Sequence, residues 1–215
     1  MEKLKVQDVT AYHQCYYIGH KVGYPLYENT DVVFYKEAAD GFHAQIEEMK
    51  KAQKFIFMEY HAIEDREAFA EMKAVLFAKA KEGVEIRIVY DDVGSVGFIS
   101  PEFVKQMKTH GIDCRIFNPM MPVLNIFMNN RDHRKITVID GRVGFTGGYN
   151  LANEYFNITH PYGVWKDSGV RLEGEAVRSL TLIFMEMWNA IRDTDTEYEK
   201  YLPDGVFEAK GGGYV

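Results

Sequence analysis

The sequence predicts an α/β domain, with a mixed, mostly parallel β-sheet flanked by helices on both faces. The first observation is an alternation of strand-like and helix-like segments over residues 31–117, which is typical of parallel sheets. The second is the pair Asp140-Gly141 between two apolar runs, which indicates a β-hairpin. The third is the content of 47% hydrophobic residues in a chain of 215, which is enough for one buried core.

Residues 31–117 alternate regularly between two patterns. Segments rich in β-branched and aromatic residues predict four strands, at 31–36, 54–61, 84–90 and 112–117. Apolar residues spaced three and four apart predict three helices between them, at 38–53, 66–82 and 101–110. Gly83 and Gly111 follow the last two helices, where a glycine cap is favoured, and Ser100 with Pro101 suits the start of the third.

The second half departs from this alternation. An irregular loop is predicted for residues 118–132. Two strands follow, His133–Ile139 and Arg142–Thr146, and a further strand is expected near Val164–Leu172. Glu175–Arg192 has helical spacing and predicts the last helix. We therefore divide the chain into a lead-in segment at 1–30, a domain at 31–193, and an acidic, glycine-rich linker at 194–215.

The composition excludes several classes of protein. The net charge is −7, from 25 basic and 32 acidic residues, which speaks against binding nucleic acid through overall charge. The two cysteines, Cys15 and Cys114, cannot form a disulfide framework. No segment reaches the roughly 18 consecutive apolar residues that cross a bilayer. No ligand-spaced cluster of Cys, His, Asp and Glu calls for a metal, and no other cofactor is expected.

The segment 129–150 concentrates residues suited to phosphate chemistry. His133 and Lys135 are two positions apart on a predicted strand, so both side chains project from the same face. Gly147-Gly148 lets backbone approach a ligand closely, and Asn150 adds a neutral donor. A histidine can attack phosphorus, while a lysine and an amide hold the non-bridging oxygens as charge develops. These residues therefore suit a site for a phosphate ester.

The spacing of these residues matches a known signature. The pattern His133-x-Lys135-x4-Asp140-x6-Gly147-Gly148-x-Asn150 resembles the HxKx4Dx6GGxN signature of the phospholipase D superfamily. The flanking segments PLYENTDVVFY, KFIFMEYHAIED, VEIRIVYDDVGS and RLEGEAV look like the first catalytic half of bacterial cardiolipin synthases. The resemblance covers about residues 22–193.

The resemblance implies a role for each residue of the signature. His133 would be the nucleophile that forms a phosphohistidine intermediate, and Lys135 and Asn150 would bind the phosphate. Asp140, grouped with the catalytic residues, would hold its loop through hydrogen bonds and an ion pair. Gly147 and Gly148 would bring backbone to the phosphate.

Three carboxylates outside the signature complete the expected site. Asp167 falls where the family places the carboxylate that orients the histidine and favours the imidazolium. Glu59 and Asp91 lie at or near the ends of their predicted strands and are candidates for the rim of the site. The six histidines other than His133, which include His61, are expected to be ordinary.

Enzymes of this superfamily use two H-x-K motifs, whereas this sequence contains one. We expect half of a catalytic site, completed by a second half in a longer parent chain or by a homodimer partner. The expected reaction is transfer of a phosphatidyl group between two phosphatidylglycerol molecules with release of glycerol, and little activity is expected of this half alone. The alternatives are a phosphodiesterase or nuclease dimer and a lipid-binding module with a relic site.

The expected partners follow from that reaction. They are an anionic phospholipid and a membrane surface, with no nucleic acid, and the parent protein is expected at the cytoplasmic side of a bacterial membrane. The motif region is locally basic, with four basic residues against two acidic ones: Arg131, Arg134, Lys135 and Arg142 against Asp132 and Asp140. The apolar loop Pro119–Met128 is either folded onto the core or an apolar lip for acyl chains.

Overall fold

The computed structural model describes residues 1–120, 129–195, 197–203, 205, 207–211 and 213–215. The strands of the described residues are β1 (Thr30–Tyr35), β2 (Phe55–Tyr60), β3 (Glu85–Asp91), β4 (Asp113–Phe117), β5 (Lys135–Ile139), β6 (Val143–Gly147) and β7 (Gly169–Gly174). The α-helices are α1 (Glu2–Gln7), α2 (Val9–Tyr17), α3 (Ala38–Met49), α4 (Glu67–Lys81), α5 (Pro101–Thr109) and α6 (Val177–Ile191). Ile18–Val22 forms a π-helical turn, and Asn153–Phe156 and Glu199–Tyr201 form short 3-10 turns.

The strands form one mixed sheet in the order β1-β7-β6-β5-β2-β3-β4, so the α/β class is confirmed. The expectation of a mostly parallel sheet is wrong, because only two of its six neighbouring pairs, β2 with β3 and β3 with β4, are parallel. The reason is that β1 does not pair with β2. The β5–β6 hairpin and β7 lie between them, and each pairs antiparallel with its neighbours.

Helices cover both faces of the sheet, as the sequence predicts. On one face α3, α4 and α5 bury an apolar core that includes Phe42, Met72 and Phe103 against Met58 of β2. On the other face α6 packs against the sheet together with Tyr201, and Phe184 of α6 stacks on Phe57 of β2 with ring centroids 4.7 Å apart. Strand β2 contributes alternate side chains to both cores and is buried along its whole length. Among the described residues, none of the helices combines the length and the hydropathy that a bilayer span requires.

The two ends of the chain differ from their predicted form. The lead-in contains two helices, α1 and α2, and the Asp8 side chain caps α2 by accepting from the backbone of Thr10 and Ala11. The linker interpretation of residues 194–215 is wrong, because Tyr201 is buried against Phe55 and Phe57. The segment is held on the domain by Arg87 of β3. Its guanidinium donates to both the Tyr201 hydroxyl and the Asp195 carboxylate.

Strand directions bring the signature residues to one end of the sheet. Strands β2, β3 and β6 finish at this end, and β5 and β7 begin there, as the pairings Tyr60 with Lys135 and Gly147 with Gly169 require. We call it the site end. The residues found there are His61 after β2, Asp91 at the end of β3, Asp132 to Lys135 at the start of β5, Gly148 to Asn150 after β6, and Asp167 before β7.

Candidate active site

His133 and Lys135 lie at the start of β5 with different environments. His133 is an exposed residue, whereas Lys135 is 5% exposed and its ammonium donates to the backbone oxygen of His133 at 2.8 Å. Burial lowers the pKa of Lys135, while the carboxylates of Asp132 and Asp167 act in the opposite direction. Partial desolvation, then the charges of Lys135 and His61, hold the pKa of His133 below its usual range. A neutral imidazole at pH 7 follows, which is the form that can act as a nucleophile.

His61, which the sequence analysis treats as ordinary, lies beside His133. The ring centroids of His61 and His133 are 4.8 Å apart, with their planes inclined by 54°. The Nδ1 atom of His61 is 2.7 Å from the backbone oxygen of Asp132. Because a carbonyl oxygen only accepts, this Nδ1 carries the proton of the bond. The one signal in the sequence is the position of His61 directly after β2, and its use requires knowing that β2 pairs with β5.

Asp91 is a buried anchor rather than a rim residue, so the rim prediction is wrong for it. Its carboxylate is fully buried and accepts from the backbone of Gly94 at 3.0 Å and of Asp132 at 3.0 Å. The guanidinium of Arg131 donates to it at 3.3 Å. These bonds tie the end of β3 to the segment that precedes His133. The physical reason for the burial is that Asp91 closes a central strand, where an unpaired carboxylate would be strongly unfavourable.

Glu59 is also fully buried, which corrects the rim prediction for it. Its Oε1 lies 2.6 Å from Nε of Arg134, yet neither oxygen of Glu59 forms a well-oriented hydrogen bond within the described residues. Burial raises the pKa of Glu59 to about 9, and the neighbouring Asp132 carboxylate adds to the shift while Arg134 opposes it. The short contact alone would suggest an ionised pair. We favour the protonated carboxyl at pH 7, because a second carboxylate shares Arg134 at 3.0 Å.

Asp140 lies at the opposite end of β5 from the site end. Its carboxylate accepts three backbone hydrogen bonds, from Gln53 at 2.9 Å, Lys54 at 2.8 Å and Phe55 at 2.9 Å. The expected ion pair is not formed with any described residue, because these backbone donors already satisfy the carboxylate. Strand β5 from Lys135 to Ile139 spans about 13 Å at about 3.3 Å per residue. Asp140 is therefore a structural residue that cannot contact a phosphate held at the site end.

The two glycines of the signature accommodate protein groups. A Cβ atom on Gly147 would lie 2.6 Å from the backbone oxygen of Ser168, and a Cβ atom on Gly148 would overlap Oδ1 of Asp167. Asp167 accepts from the backbone of Ser168 at 2.8 Å and from the indole of Trp165 at 3.4 Å. The close approach at Gly148 is therefore made by a carboxylate that lies near Lys135.

The expected pairing of Asp167 with His133 is absent. Among the described residues no hydrogen bond joins them, and the carboxylates of Asp132 and Asp91 are among the groups whose charge acts on His133. The charge of Asp167 acts on Lys135 and opposes the lowering of its pKa. The physical reason is the backbone bond from Ser168, which holds Asp167 over Gly148 at the start of β7.

Asn150 is nearly inaccessible, with 1% of its surface exposed. Its side-chain oxygen accepts from the backbone of Ala62 at 3.1 Å, and its amide nitrogen donates to the hydroxyl of Tyr155 at 2.7 Å. Asn150 thus ties the end of β6 to the segment after β2. The amide has a second N–H, which donates to no described residue.

The apolar loop Pro119–Met128 is described only at its start. The backbone of Met120 donates to the carboxylate of Asp92 at 2.6 Å, beside the site end, and residues 121–128 lie outside the described residues. Within the described part of the chain no three His, Cys, Asp or Glu side chains come together as metal ligands would. What the site end offers is an accessible neutral imidazole beside a buried cation, which can attack a phosphorus atom and hold its oxygens.

Comparison with known proteins places this geometry in a family. The family described as "Cardiolipin synthase, PLD-like domain" matches residues 45–188. Cardiolipin synthase 2 of Staphylococcus epidermidis is 34% identical over 214 residues, which cover 95% of this chain and 44% of that protein. An uncharacterized protein of Streptococcus mutans is 38% identical over 213 residues, which cover 99% of this chain and 46% of that protein. The chain thus spans less than half the length of these relatives.

Solved structures share the fold at lower identity. The phospholipase D family member Nuc from Salmonella typhimurium superposes with a TM-score of 0.57 at 18% identity, over 79% of this chain and all of that chain. NucT from Helicobacter pylori superposes with a TM-score of 0.55 at 11% identity, over 74% of this chain and 96% of that one. The resemblance drawn from the signature is confirmed, and the chain belongs to the cardiolipin synthase family of phospholipase D-like domains.

Proposed function

We propose that this chain supplies the nucleophilic half of a cardiolipin synthase site, in which His133 attacks phosphatidylglycerol. The observation that supports this most is the accessible His133 imidazole, whose pKa is held below its usual range next to the buried Lys135 ammonium. Relatives of Staphylococcus epidermidis and Staphylococcus aureus at 34–35% identity are named cardiolipin synthases. A neutral histidine can attack because its ring nitrogen keeps a lone pair, and a buried cation can stabilise the charge that develops on phosphate oxygens.

The proposed reaction has two displacements at phosphorus. A ring nitrogen of His133 bonds to phosphorus as the bond from phosphorus to the glycerol oxygen breaks, and that oxygen takes up a proton. A hydroxyl of a second phosphatidylglycerol then gives its proton to the group that protonated glycerol and attacks phosphorus, the nitrogen–phosphorus bond breaks, and cardiolipin forms. Lys135 and the free N–H of Asn150 hold the non-bridging oxygens in both steps. Asp140 stabilises the hairpin that carries them.

The proton for departing glycerol has to come from a second acid. We assign it to a second catalytic half or a second copy of this chain, because the sequence holds one H-x-K motif and spans under half of its relatives' length. The whole enzyme then acts at the surface of a membrane that contains anionic lipid. This chain alone is expected to attack an ester whose leaving group needs no proton, and to turn over poorly afterwards.

An activated ester tests the proposal on the chain as it exists. Phosphatidyl-p-nitrophenol in mixed micelles releases nitrophenolate without protonation, so the chain should give a burst of at most one equivalent. His133→Ala should abolish the burst. His43→Ala, which removes an exposed histidine on α3, is the matched control and should leave it unchanged.

The same experiment separates a lipid enzyme from a nuclease. Thymidine 5′-(p-nitrophenyl phosphate) presents the same leaving group on a nucleotide. A burst with the phosphatidyl ester that is at least about tenfold faster than with the nucleotide ester supports the proposal. A faster burst with the nucleotide ester would favour the nuclease alternative, and no burst with either ester would overturn the role of His133.

A further inference from the structure

A cluster of four buried polar side chains lies close to the site end, between α3 and the sheet. At its centre is the amide of Gln45 on α3, which is fully buried. The amide nitrogen donates to the hydroxyl of Tyr60 at 3.0 Å and to that of Thr137 at 2.7 Å. The amide oxygen accepts from the hydroxyl of Tyr149 at 3.3 Å. One amide therefore joins α3, β2, β5 and the segment that follows β6.

The Tyr149 side chain fills a slot between α3 and the sheet and is 3% exposed. A Cβ atom on Gly169 of β7 would lie 2.9 Å from Cε1 of Tyr149, and one on Gly41 of α3 would lie 3.2 Å from its hydroxyl. The ring also contacts Phe156 edge-on, with centroids 5.7 Å apart. The ring is thus closely packed on several sides, and its bond to Gln45 fixes how deeply it enters the slot.

This cluster contacts both elements that carry the proposed phosphate ligands. Tyr149 lies directly before Asn150, in a segment that follows the last paired residue of β6, so strand pairing alone does not fix it. Thr137 lies two residues after Lys135 on β5, on the same face of the strand. Gln45 bonds to Tyr149 and to Thr137, and therefore links the segment of Asn150 to the strand of Lys135.

We propose that Gln45 and Tyr149 are positioning residues, whose hydrogen bond holds the Asn150 amide at a fixed distance from the Lys135 ammonium. This rests on the proposed role of Lys135 and Asn150 in holding the phosphate oxygens. Donors aimed at developing charge stabilise it best when they need no reorganisation during the reaction. A small misplacement of such a donor costs a large part of the rate. The variable position of the signature, between Gly148 and Asn150, then carries the anchor of the phosphate-binding segment.

Two tyrosine variants separate positioning from packing. Tyr149→Phe keeps the ring in its slot and removes the hydroxyl that bonds to Gln45. In this variant, ¹⁵N relaxation should show added motion of the Gly148 and Asn150 backbone amides. The burst with phosphatidyl-p-nitrophenol should be about tenfold slower at saturating ester. Tyr60→Phe is the matched control, because it removes a hydroxyl of the same cluster from a strand paired on both sides.

The control should lose stability without losing the burst. The Tyr60 hydroxyl contacts both Gln45 and Thr137, so Tyr60→Phe should lower the urea midpoint at least as much as Tyr149→Phe does. Its amide motion and its burst should match those of the unchanged chain. Equal amide motion in the two folded variants would overturn the proposal, as would an unchanged burst in Tyr149→Phe.

A third variant tests whether the two residues act through one bond. Gln45→Met removes the amide at similar volume and should slow the burst as Tyr149→Phe does. The double variant should be no slower than either single variant, because both changes break the same bond. Additive losses would contradict the proposal. If Gln45→Met does not fold, the two tyrosine variants decide alone. The relaxation measurement needs no turnover, so a chain without any burst would contradict the proposed function while amide motion still tests the positioning role.

Discussion

The two ends of β5 carry two parts of one signature and differ in every physical respect. At the site end, His133 is accessible, Lys135 is buried with a lowered pKa, and the His133 ring has no hydrogen-bonded partner among the described residues. At the opposite end, Asp140 is satisfied by three backbone N–H groups. One sequence signature can therefore combine residues suited to catalysis with a residue that stabilises the hairpin.

The largest expected effect is a loss of activity when a residue at the site end of β5 is replaced. Lys135→Met should slow the phosphatidyl-p-nitrophenol burst by about 10³-fold, as the loss of a preorganised charge at a reacting centre does. It should leave the free energy of unfolding unchanged or raised, because a buried ammonium is desolvated without a carboxylate partner in direct contact. Burst kinetics and urea denaturation measure the two quantities. If Lys135→Met were destabilised and kept a normal burst, Lys135 would act in stability and not in catalysis, which would contradict the comparison.

Replacing Asp140, at the opposite end of β5, should lower the stability of the fold. Asp140→Ala removes three charge-assisted hydrogen bonds and places alanine at a φ of 53°, so we expect the free energy of unfolding to fall by about 3 kcal/mol. Asp140→Asn is the matched control and should lose less, since asparagine tolerates this backbone and keeps one acceptor. At a temperature where each variant is folded, the burst should persist. Loss of the burst in folded Asp140→Asn would place Asp140 in the chemistry.

A buried acid beside the site end should give a pH dependence of stability. The pKa of Glu59 is about 9 in the folded chain against an ordinary value near 4.5, so the folded state binds this proton more tightly. The free energy of unfolding should therefore decrease as pH rises from about 4.5 to about 9. Glu59→Gln should flatten that decrease and stabilise the chain by about 1–3 kcal/mol at pH 7. Urea denaturation at several pH values measures it, and an identical pH profile in both proteins would contradict a protonated Glu59.

The smallest expected effect concerns Gly148. In Gly148→Ala the new methyl group must displace the Asp167 carboxylate, which we expect to cost about 1 kcal/mol of stability. The displaced charge no longer favours the Lys135 ammonium, so the pKa of Lys135 should fall further and the burst should weaken at high pH. Gly213→Ala, at an open position outside the signature and without a positive φ, is the control for adding a methyl group to a glycine. If the burst of Gly148→Ala at high pH were the same as that of the unchanged chain, Asp167 would not influence the pKa of Lys135.

The parts of the site that follow from local geometry could be predicted from the sequence. His133 and Lys135 share a face because strand residues two apart always do, and Asp140-Gly141 forms a turn because that pair suits one. The order of strands could not be predicted in the same way, because it depends on contacts between segments far apart in the chain. His61 was missed for that reason, since its neighbour lies 72 positions along the chain and becomes close only when β2 pairs with β5.

The central claim is that a ring nitrogen of His133 forms a covalent bond to phosphorus. Mass spectrometry of the trapped adduct tests this claim most directly. The chain is mixed with phosphatidyl-p-nitrophenol, quenched at alkaline pH where a nitrogen–phosphorus bond survives, digested and sequenced by fragmentation. In the unchanged chain we predict one phosphatidyl group, on His133. In the His133→Ala variant we predict no phosphatidyl group on the peptides that contain Asp140. An adduct on His61, on another residue, or none during a full burst would contradict it.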